Sequence, residues 1–163
     1  MSESSDDIAN RANDYVTTRG IRLERLIGFG REARVYGTGR RTAIKIHDDF
    51  EAFQRELLCY IRLVTLEITE VLGHQVPKLF DADERLMVLE LTVVERPFLL
   101  DFGAARLDSA PDFPADVLET WEQEKIEQFG DHWPHTAAII DWLRVHAGIY
   151  LLDVHPGNIG FPQ

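Results

Sequence analysis

The sequence predicts a mixed α+β fold, in which a five-stranded antiparallel sheet with one helix is followed by a smaller, mainly helical half. Three observations predict it. Short segments of alternating apolar residues come first, an amphipathic helix interrupts them, and helix signals dominate after about residue 110. With 163 residues the chain can bury one sizeable core but is short for two full lobes.

The first half contains the predicted sheet. Three short strands are expected within residues 22–46, with a glycine-rich hairpin turn between the last two. Residues 48–73 then place apolar side chains at helical spacing, with Asp48 or Asp49 as the cap and an end near Gly73. Residues 76–80 and 86–91 read as two more strands, which complete the five.

The second half is predicted to be mainly helical. Two segments begin near a proline, carry apolar residues at helical spacing, and end at Gly130 and Gly148. A short strand, a Pro-Gly loop and a second short strand follow them. The predicted organisation is a flexible polar tail at residues 1–12, a sheet-containing lobe with its hinge at 13–92, and a reduced second lobe at 93–163.

Charge and cysteine content exclude several classes of protein. The chain has 17 basic and 28 acidic residues, for a net charge of −11, and the basic residues form no stripe. Nucleic acid is therefore not expected as a partner. A single cysteine, Cys59, cannot form an internal disulfide, no apolar run approaches the ~20 residues of a membrane span, and the first residues do not resemble a secretory signal. These features predict a cytoplasmic protein with reduced thiols and no membrane partner.

A glycine-rich turn between two predicted strands is the most specific motif. Gly28 and Gly30 would let backbone amides approach phosphates, and Val35 would cover a purine ring. The pattern Gly28-x-Gly30-x-x-Ala33-x-Val35, followed by Ala43-Ile44-Lys45, resembles the glycine loop and lysine strand of protein kinases. Ala33 stands where that motif usually has a third glycine.

A second motif lies in the last predicted loop. Asp153-Val154-His155-Pro156-Gly157-Asn158 has the aspartate and asparagine at the five-residue spacing of a kinase catalytic loop. Its His-Pro-Gly-Asn resembles RIO-like and aminoglycoside-phosphotransferase-like kinases more than eukaryotic protein kinases. Leu151 and Leu152 replace the polar residues that usually precede the aspartate, which removes one support of that loop.

The resemblance implies a protein-kinase-like fold and a set of roles. Lys45 would hold the ATP phosphates, and Glu56 on the following helix would orient it, with Glu51 as the alternative. Asp153 would accept the proton of the acceptor hydroxyl, and Asn158 would bind Mg²⁺. The residues implied in ATP binding are Ile27, Gly28, Phe29, Gly30, Val35, Ala43 and Lys45, together with Glu90, Leu91 and Thr92 as the interlobe hinge.

The tripeptide Asp101-Phe102-Gly103 spells the magnesium-binding motif of kinases but precedes the catalytic-loop candidate instead of following it. Two interpretations stay open. The favoured one is a chance match within the segment after the hinge, because short motifs often match by chance. The other is that Asp101 serves as a metal ligand supplied from the front of the cleft.

The implied function is ATP- and Mg²⁺-dependent phosphoryl transfer by a minimal serine/threonine protein kinase. The alternatives are an ATP-binding pseudokinase that regulates other proteins, a small-molecule phosphotransferase of the aminoglycoside type, and a non-enzymatic interaction domain. The acceptor is expected to be a protein or small-molecule hydroxyl. A dimer in which one chain completes the cleft of another is compatible with the sequence but not required by it.

Overall fold

A computed structural model describes residues 5–29 and 33–163, apart from the side chain of Phe29. Four α-helices and eleven strands lie in this part of the chain. The helices are α1 (Ser5–Arg19), α2 (Phe50–Thr65), α3 (Ala115–Phe129) and α4 (Trp133–Ala147). The strands are β1 (Leu23–Phe29), β2 (Ala33–Thr38), β3 (Thr42–His47), β4 (Glu70–Val71), β5 (His74–Gln75), β6 (Leu79–Asp83), β7 (Val88–Thr92), β8 (Phe98–Leu99), β9 (Arg106–Leu107), β10 (Ile149–Tyr150) and β11 (Ile159–Gly160).

The predicted five-stranded antiparallel sheet is confirmed. Its strand order is β1-β2-β3-β7-β6, and every neighbouring pair is antiparallel. Alternation along β3 sends Ile44 and Ile46 to one face of the sheet, where they pack with residues of α1, and Lys45 and His47 to the other. The sheet therefore has one structural face and one face that is available for a site.

The expectation of a flexible tail over residues 1–12 is wrong for residues 5–12. These residues form the first part of α1, in which Ile8, Ala12, Tyr15 and Val16 are all buried. Their spacing puts them on one face of the helix, which packs against Ile44 and Ile46. The burial of this apolar stripe stabilises a helix whose polar composition alone predicts disorder.

The second helix begins as predicted but ends earlier. The side chain of Asp49 accepts a hydrogen bond from the backbone N–H of Ala52 at 2.9 Å, which satisfies one of the free donors of the first turn. The helix stops at Thr65, whereas its predicted end is Gly73. The intervening residues form the short β4–β5 hairpin, with Gly73 at φ +88 in its turn.

The second half contains α3, a 3₁₀ turn, α4 and two small sheets. One sheet has the order β11-β8-β5-β4, and the other pairs β10 with β9. The buried inner face of α2 contacts this half as well as the sheet, because Phe53, Tyr60 and Leu63 share one core with residues of α4 and the small strands. A cleft thus lies between the two halves, with α2 at its back. No helix in residues 5–29 and 33–163 is long and apolar enough to cross a membrane.

Candidate active site

A cleft of about 930 Å³ lies between the inner face of the large sheet and the second half. This volume lies within the range of small-molecule sites. Most of the predicted site residues line it: Ile27, Gly28, Val35, Ala43, Lys45, Glu56, Leu91, Thr92, Asp101, Asp153 and Asn158.

Lys45 and Glu56 form an ion pair at the back of the cleft. Lys45 Nζ lies 2.8 Å from the Glu56 carboxylate, and the Glu56 side chain is 1% exposed. The pair forms because β3 points Lys45 inward and α2 packs its buried face, which carries Glu56, against the same side of the sheet. Glu51, the alternative partner, lies one turn earlier on α2 and is exposed.

The pKa values of this pair move apart. Burial opposes the charge on Lys45, but attraction to Glu56 and Asp101 outweighs it and raises the lysine pKa. Burial also opposes the charge on Glu56, yet Lys45 and a hydrogen bond from His47 bring the pKa of that carboxyl well below its usual range. The pair therefore stays ionised at neutral pH, which keeps a fixed positive charge in the cleft.

His47 is a site residue that the sequence analysis missed. Its Nε2 lies 2.7 Å from Glu56 Oε2, an oxygen that Lys45 Nζ also contacts at 2.8 Å. The side chain is buried and its ring packs edge-on against Phe53 at 5.6 Å. The signal was available, because His47 follows Lys45 by two residues and side chains at that spacing lie on the same face of a strand.

The Asp101-Phe102-Gly103 segment lies directly against the ion pair. Asp101 Oδ1 is 3.1 Å from Lys45 Nζ and accepts a hydrogen bond from the Gly103 N–H at 3.0 Å. The Phe102 N–H donates to Glu56 Oε1 at 3.3 Å, and its buried ring packs edge-on against Tyr60. A Cβ on Gly103 would lie 3.1 Å from Asp101 Oδ1, closer than most real Cβ contacts.

Each member of the tripeptide thus has a physical reason to be present. Asp101 adopts φ +65, a conformation that aspartate tolerates better than most residues and that turns its carboxylate into the cleft. A chance match would not require an aspartate facing the lysine, a buried aromatic ring and a residue without Cβ at these three positions. The contacts place Asp101 at the edge of the cleft beside Lys45, and its role as a metal ligand stays a prediction.

The catalytic-loop candidate occupies the opposite wall of the cleft. The Asn158 Nδ2 donates to the backbone oxygen of Asp153 at 3.2 Å and to Asp153 Oδ2 at 3.3 Å. His155 Nδ1 accepts a hydrogen bond from the Gly157 N–H at 3.0 Å, which closes the Pro-Gly turn. The Asp153 side chain is 49% exposed, so its carboxylate is accessible from the cleft.

Strand pairing joins the two motifs. The strand before Asp101 pairs antiparallel with the strand after Asn158, with Leu99 opposite Ile159. The Leu100 N–H also donates to the backbone oxygen of Asn158 at 2.7 Å. Asp101 and Asn158 therefore lie on adjacent segments at one edge of the cleft, although 57 positions separate them in the sequence.

Apolar side chains cover the outer part of the cleft. Ile27, Val35 and Ala43 come from the large sheet, and Leu152 comes from the opposite wall. Leu152 is one of the two residues that replace the polar residues expected before Asp153. In place of a polar group, it gives this wall of the cleft an apolar surface. A flat ring could stack between these two apolar surfaces.

Leu91 and Thr92, two of the predicted hinge residues, belong to β7 and line the cleft. The backbone of Leu91 pairs with strands on both sides, and the Thr92 N–H donates to the Lys78 oxygen. These groups are therefore already used within the sheet. Val93 and Val94, which follow β7 and line the cleft, are the next residues with backbone groups at that edge.

Glu90 is not brought to the cleft. Its buried carboxylate lies on the outer face of the sheet, where it accepts hydrogen bonds from Tyr15, Arg40 and Thr42. The alternation of β7 explains this position, because Glu90 and Val88 share the face that α1 covers. Gly30 and the side chain of Phe29, two other predicted nucleotide contacts, lie outside the described residues.

The donor set at the cleft edge fits a hard cation. Asp101 offers a carboxylate, and because the Asn158 amide nitrogen faces Asp153, the amide oxygen is the atom left for an ion. Such oxygen donors are the ligands that Mg²⁺ prefers in phosphate-transfer sites. Among residues 5–29 and 33–163, no group of three or more His, Cys, Asp or Glu side chains could hold a metal by itself, so an ion here would share the ligand's oxygens.

Comparisons with known proteins add a likeness in fold. No protein-family model and no curated protein matches the chain. It is similar to two solved structures of APH(2″)-IIa, a ternary complex with streptomycin and ATP (13% identity, TM-score 0.43) and a gentamicin complex (12%, 0.44). It is also similar to an ADP-bound aminoglycoside phosphotransferase, APH(2″)-Ib (11%, 0.41). Each match covers 94% of this chain but only 42% or 43% of the other chain.

Proposed function

We propose that this chain is an ATP-dependent phosphotransferase that acts on a hydroxyl acceptor. The observation that carries the proposal is that the β8–β11 pairing brings the segments of Asp101 and Asn158 side by side, next to the Lys45–Glu56 ion pair. Kinases gather a lysine, a glutamate, two metal ligands and a proton acceptor around the ATP phosphates. The same types of side chain line this cleft, in a different chain order.

The proposed roles follow from position. Lys45, held by Glu56 and His47, would bind the inner phosphates of ATP, while the apolar surfaces formed by Val35, Ala43 and Leu152 would hold the adenine. Asp101 and Asn158 would hold Mg²⁺, which when bound neutralises charge on the phosphates. The direct contact between Lys45 and Asp101 would be exchanged for contacts to the ligand.

Asp153 would act on the acceptor. Its accessible carboxylate can take the hydroxyl proton while the hydroxyl oxygen bonds to the γ-phosphorus and the bond to the bridging oxygen breaks, which releases ADP. Two acceptors are proposed. The first is a serine or threonine of a protein. The second is a cationic small molecule that bears hydroxyls, which the net charge of −11 would attract.

The test is calorimetric titration of ATP with and without Mg²⁺, followed by radiolabelled transfer to the protein itself, to a generic protein acceptor and to an aminoglycoside. The variants are Asp153→Asn and Asp101→Asn, with Asp112→Asn, which alters an exposed loop, as the matched control. We expect wild type and the control to bind ATP and transfer phosphate. Asp153→Asn should bind ATP but lose transfer by about 100-fold or more, and Asp101→Asn should lose the Mg²⁺ dependence of binding.

Other outcomes would reject all or part of the proposal. Binding without transfer in wild type would favour a pseudokinase, and absence of binding would reject the nucleotide site altogether. Unchanged Mg²⁺ dependence in Asp101→Asn would return Asp101-Phe102-Gly103 to a chance match.

A further inference from the structure

A junction away from Lys45 joins α2 to two segments of the second half. The Arg62 guanidinium contacts both carboxylate oxygens of Asp108, with Nη1 to Oδ1 at 2.7 Å and Nη2 to Oδ2 at 2.8 Å. Its Nη1 also donates to the backbone oxygen of Ala147 at 3.1 Å. The Asp108 N–H in turn donates to the Gly148 oxygen at 2.8 Å. We call these four residues the Arg62 junction.

Each chain segment at the junction carries a residue of the proposed site. Arg62 lies on α2, six residues after Glu56, and Asp108 follows Asp101 by seven residues. Gly148 ends α4 and immediately precedes β10, which leads to Asp153. The β9–β10 pairing connects the last two segments directly. One arginine side chain on the helix of the ion pair therefore contacts the segment that follows Asp101 and the end of α4, which immediately precedes the strand leading to Asp153.

Packing at Gly148 shows that the junction is close-fitting. A Cβ on this residue would lie 2.6 Å from Asp108 Oδ1 and 3.1 Å from Arg62 Nη1. No real Cβ contact is as short as the first distance, so any side chain here would push the carboxylate away from the guanidinium. Gly148 also has φ +63, which favours glycine.

The junction fixes the relative positions of its chain segments more than it adds to the free energy of unfolding. Asp108 is 66% exposed and Arg62 is 29% exposed, and ion pairs at such exposure add little to the free energy of unfolding. Arginine nevertheless differs from lysine here, because its planar group can meet both carboxylate oxygens and a carbonyl in one fixed arrangement. A lysine could contact them only through a single ammonium group.

We propose that Arg62 is a positioning residue for phosphoryl transfer, and that it acts through Asp108 and Ala147 to hold the segments of Asp101 and Asp153 in register with each other and with α2. This inference rests on the function proposed above. Because Arg62 does not line the cleft, its loss should change the alignment of Asp101 and Asp153 and leave the nucleotide surfaces of the large sheet intact. The predicted signature is a lower kcat with an unchanged KM for ATP.

Two different changes break the junction, and each has a matched control. Arg62→Met keeps most of the side-chain stem, and its control is Arg22→Met, which breaks an exposed Arg22–Glu24 pair at the start of β1. Gly148→Ala inserts a methyl group without removing any charge. Its control is Gly20→Ala, at φ +66 with no atom within 4 Å of the added Cβ, which bears the same backbone penalty without the clash.

The measurements are kcat and KM for ATP in the transfer assay, and backbone hydrogen exchange over residues 101–108 and 149–158. Arg62→Met and Gly148→Ala should each lower kcat about tenfold, leave KM within twofold, and speed exchange in both segments. Arg62→Lys should fall between wild type and Arg62→Met, and both controls should match wild type.

A wild-type kcat in Arg62→Met, or a raised KM with an unchanged kcat, would overturn the inference. If wild type itself transfers no phosphate, the proposed function fails and hydrogen exchange alone decides the role of Arg62. Unchanged exchange at residues 149–158 in Arg62→Met would then show that the junction does not couple the segment of Asp153 to α2.

Discussion

Two glutamates, Glu56 and Glu90, have fully buried side chains and lie against opposite faces of the large sheet. They differ in whether their cationic partner can be reached by a ligand in the cleft. Glu90 faces α1 and bonds to Tyr15, Arg40 and Thr42, groups that remain part of the fold under all conditions. Glu56 faces the cleft, and its cation, Lys45, also contacts Asp101 at the cleft edge. Both glutamates have lowered pKa values, although burial alone would raise them. A lowered pKa therefore identifies a paired carboxylate but does not distinguish a functional pair from a structural one.

The difference lies in access to the cleft. Lys45 lines it and can exchange one of its two carboxylate partners for a ligand. Arg40 lies outside it, with its guanidinium over the Phe80 ring at 4.6 Å. Buried ion pairs of both kinds cost desolvation energy that their mutual attraction must offset. Substitutions at the two glutamates should consequently separate activity from stability.

The largest expected effect follows from removing the charge of Glu56. Glu56→Gln should lower the kcat/KM of transfer about 100-fold. Lys45 would keep Asp101 as its charged partner and would lose the contact that orients it toward the phosphates. Transfer should be measured per folded molecule, since the variant also loses a buried charge pair. Glu51→Gln, one turn earlier on α2 and exposed, is the matched control and should keep wild-type activity. Equal losses in the two variants would mean that Glu56 has no special role.

A smaller effect, confined to stability, is expected at Glu90. Glu90→Gln should lower the free energy of unfolding by about 2 kcal/mol, because the four charge-assisted hydrogen bonds from Tyr15, Arg40 and Thr42 weaken together, while the ATP affinity stays unchanged. The lowered pKa of Glu90 also fixes the sign of its pH dependence. Its contribution is fully present above the ordinary carboxyl pKa of 4.5 and is lost as the pH falls toward the lower folded-state value.

Urea unfolding at pH 7 and at several values below 4.5 tests this prediction. The variant should be less stable at pH 7 and should lose less further stability on acidification than wild type does. Glu122→Gln, on the exposed side of α3, controls for the change in net charge. A weakened ATP affinity in Glu90→Gln would show instead that the outer face of the sheet communicates with the cleft.

The same two glutamates show what local sequence could predict. Lys45 and Glu56 lie on consecutive elements, and their partnership follows from an inward strand position and a helix face only eleven residues later. The hinge role of Glu90 rests on the resemblance alone, and its place in the alternation of β7 sends its carboxylate to the outer face of the sheet instead. The helical spacing of Ile8, Ala12, Tyr15 and Val16 was also present, but the polar residues between them favoured a disordered tail.

Nonlocal pairing explains what the sequence could not provide. Asp101 and Asn158 lie at one cleft edge only because β8 pairs with β11, a pairing of two-residue strands that no pattern in either strand specifies. The reversed order of the two motifs made a chance match the simpler interpretation. Antiparallel pairing depends on which edges meet and not on which strand comes first in the chain, so the reversal does not prevent the contact.

The smallest expected effect concerns a buried ionisable group with no charged partner, the opposite case from both glutamates. His74 is 3% exposed, and neither of its ring nitrogens has a hydrogen-bond partner within the described residues. Its ring packs against His135 and Phe161. Burial lowers the pKa of His74; the Leu72 carbonyl opposes this shift, and the imidazoles of His135 and His132 add to it.

The sign of the resulting pH dependence is set by this lowered pKa. Below the ordinary histidine pKa of 6.5 the unfolded chain binds a proton that folded His74 resists, so wild-type stability should fall as the pH drops from 7 to 5. His74→Phe keeps the ring contacts and removes the titrating group. It should flatten this part of the profile and raise the free energy of unfolding at pH 5.5 by about 1 kcal/mol.

The matched control for His74→Phe is His146→Phe, because His146 is exposed and stacks on Trp142 at 4.4 Å. That variant should retain the wild-type slope between pH 7 and 5. An unchanged slope in His74→Phe would mean that folded His74 binds a proton as readily as the unfolded chain does. Solvent would then supply hydrogen-bond partners for its two ring nitrogens. A flatter slope would show that charged partners decide which buried ionisable groups of this fold stay charged, because Glu56 and Glu90 remain ionised in equally buried positions.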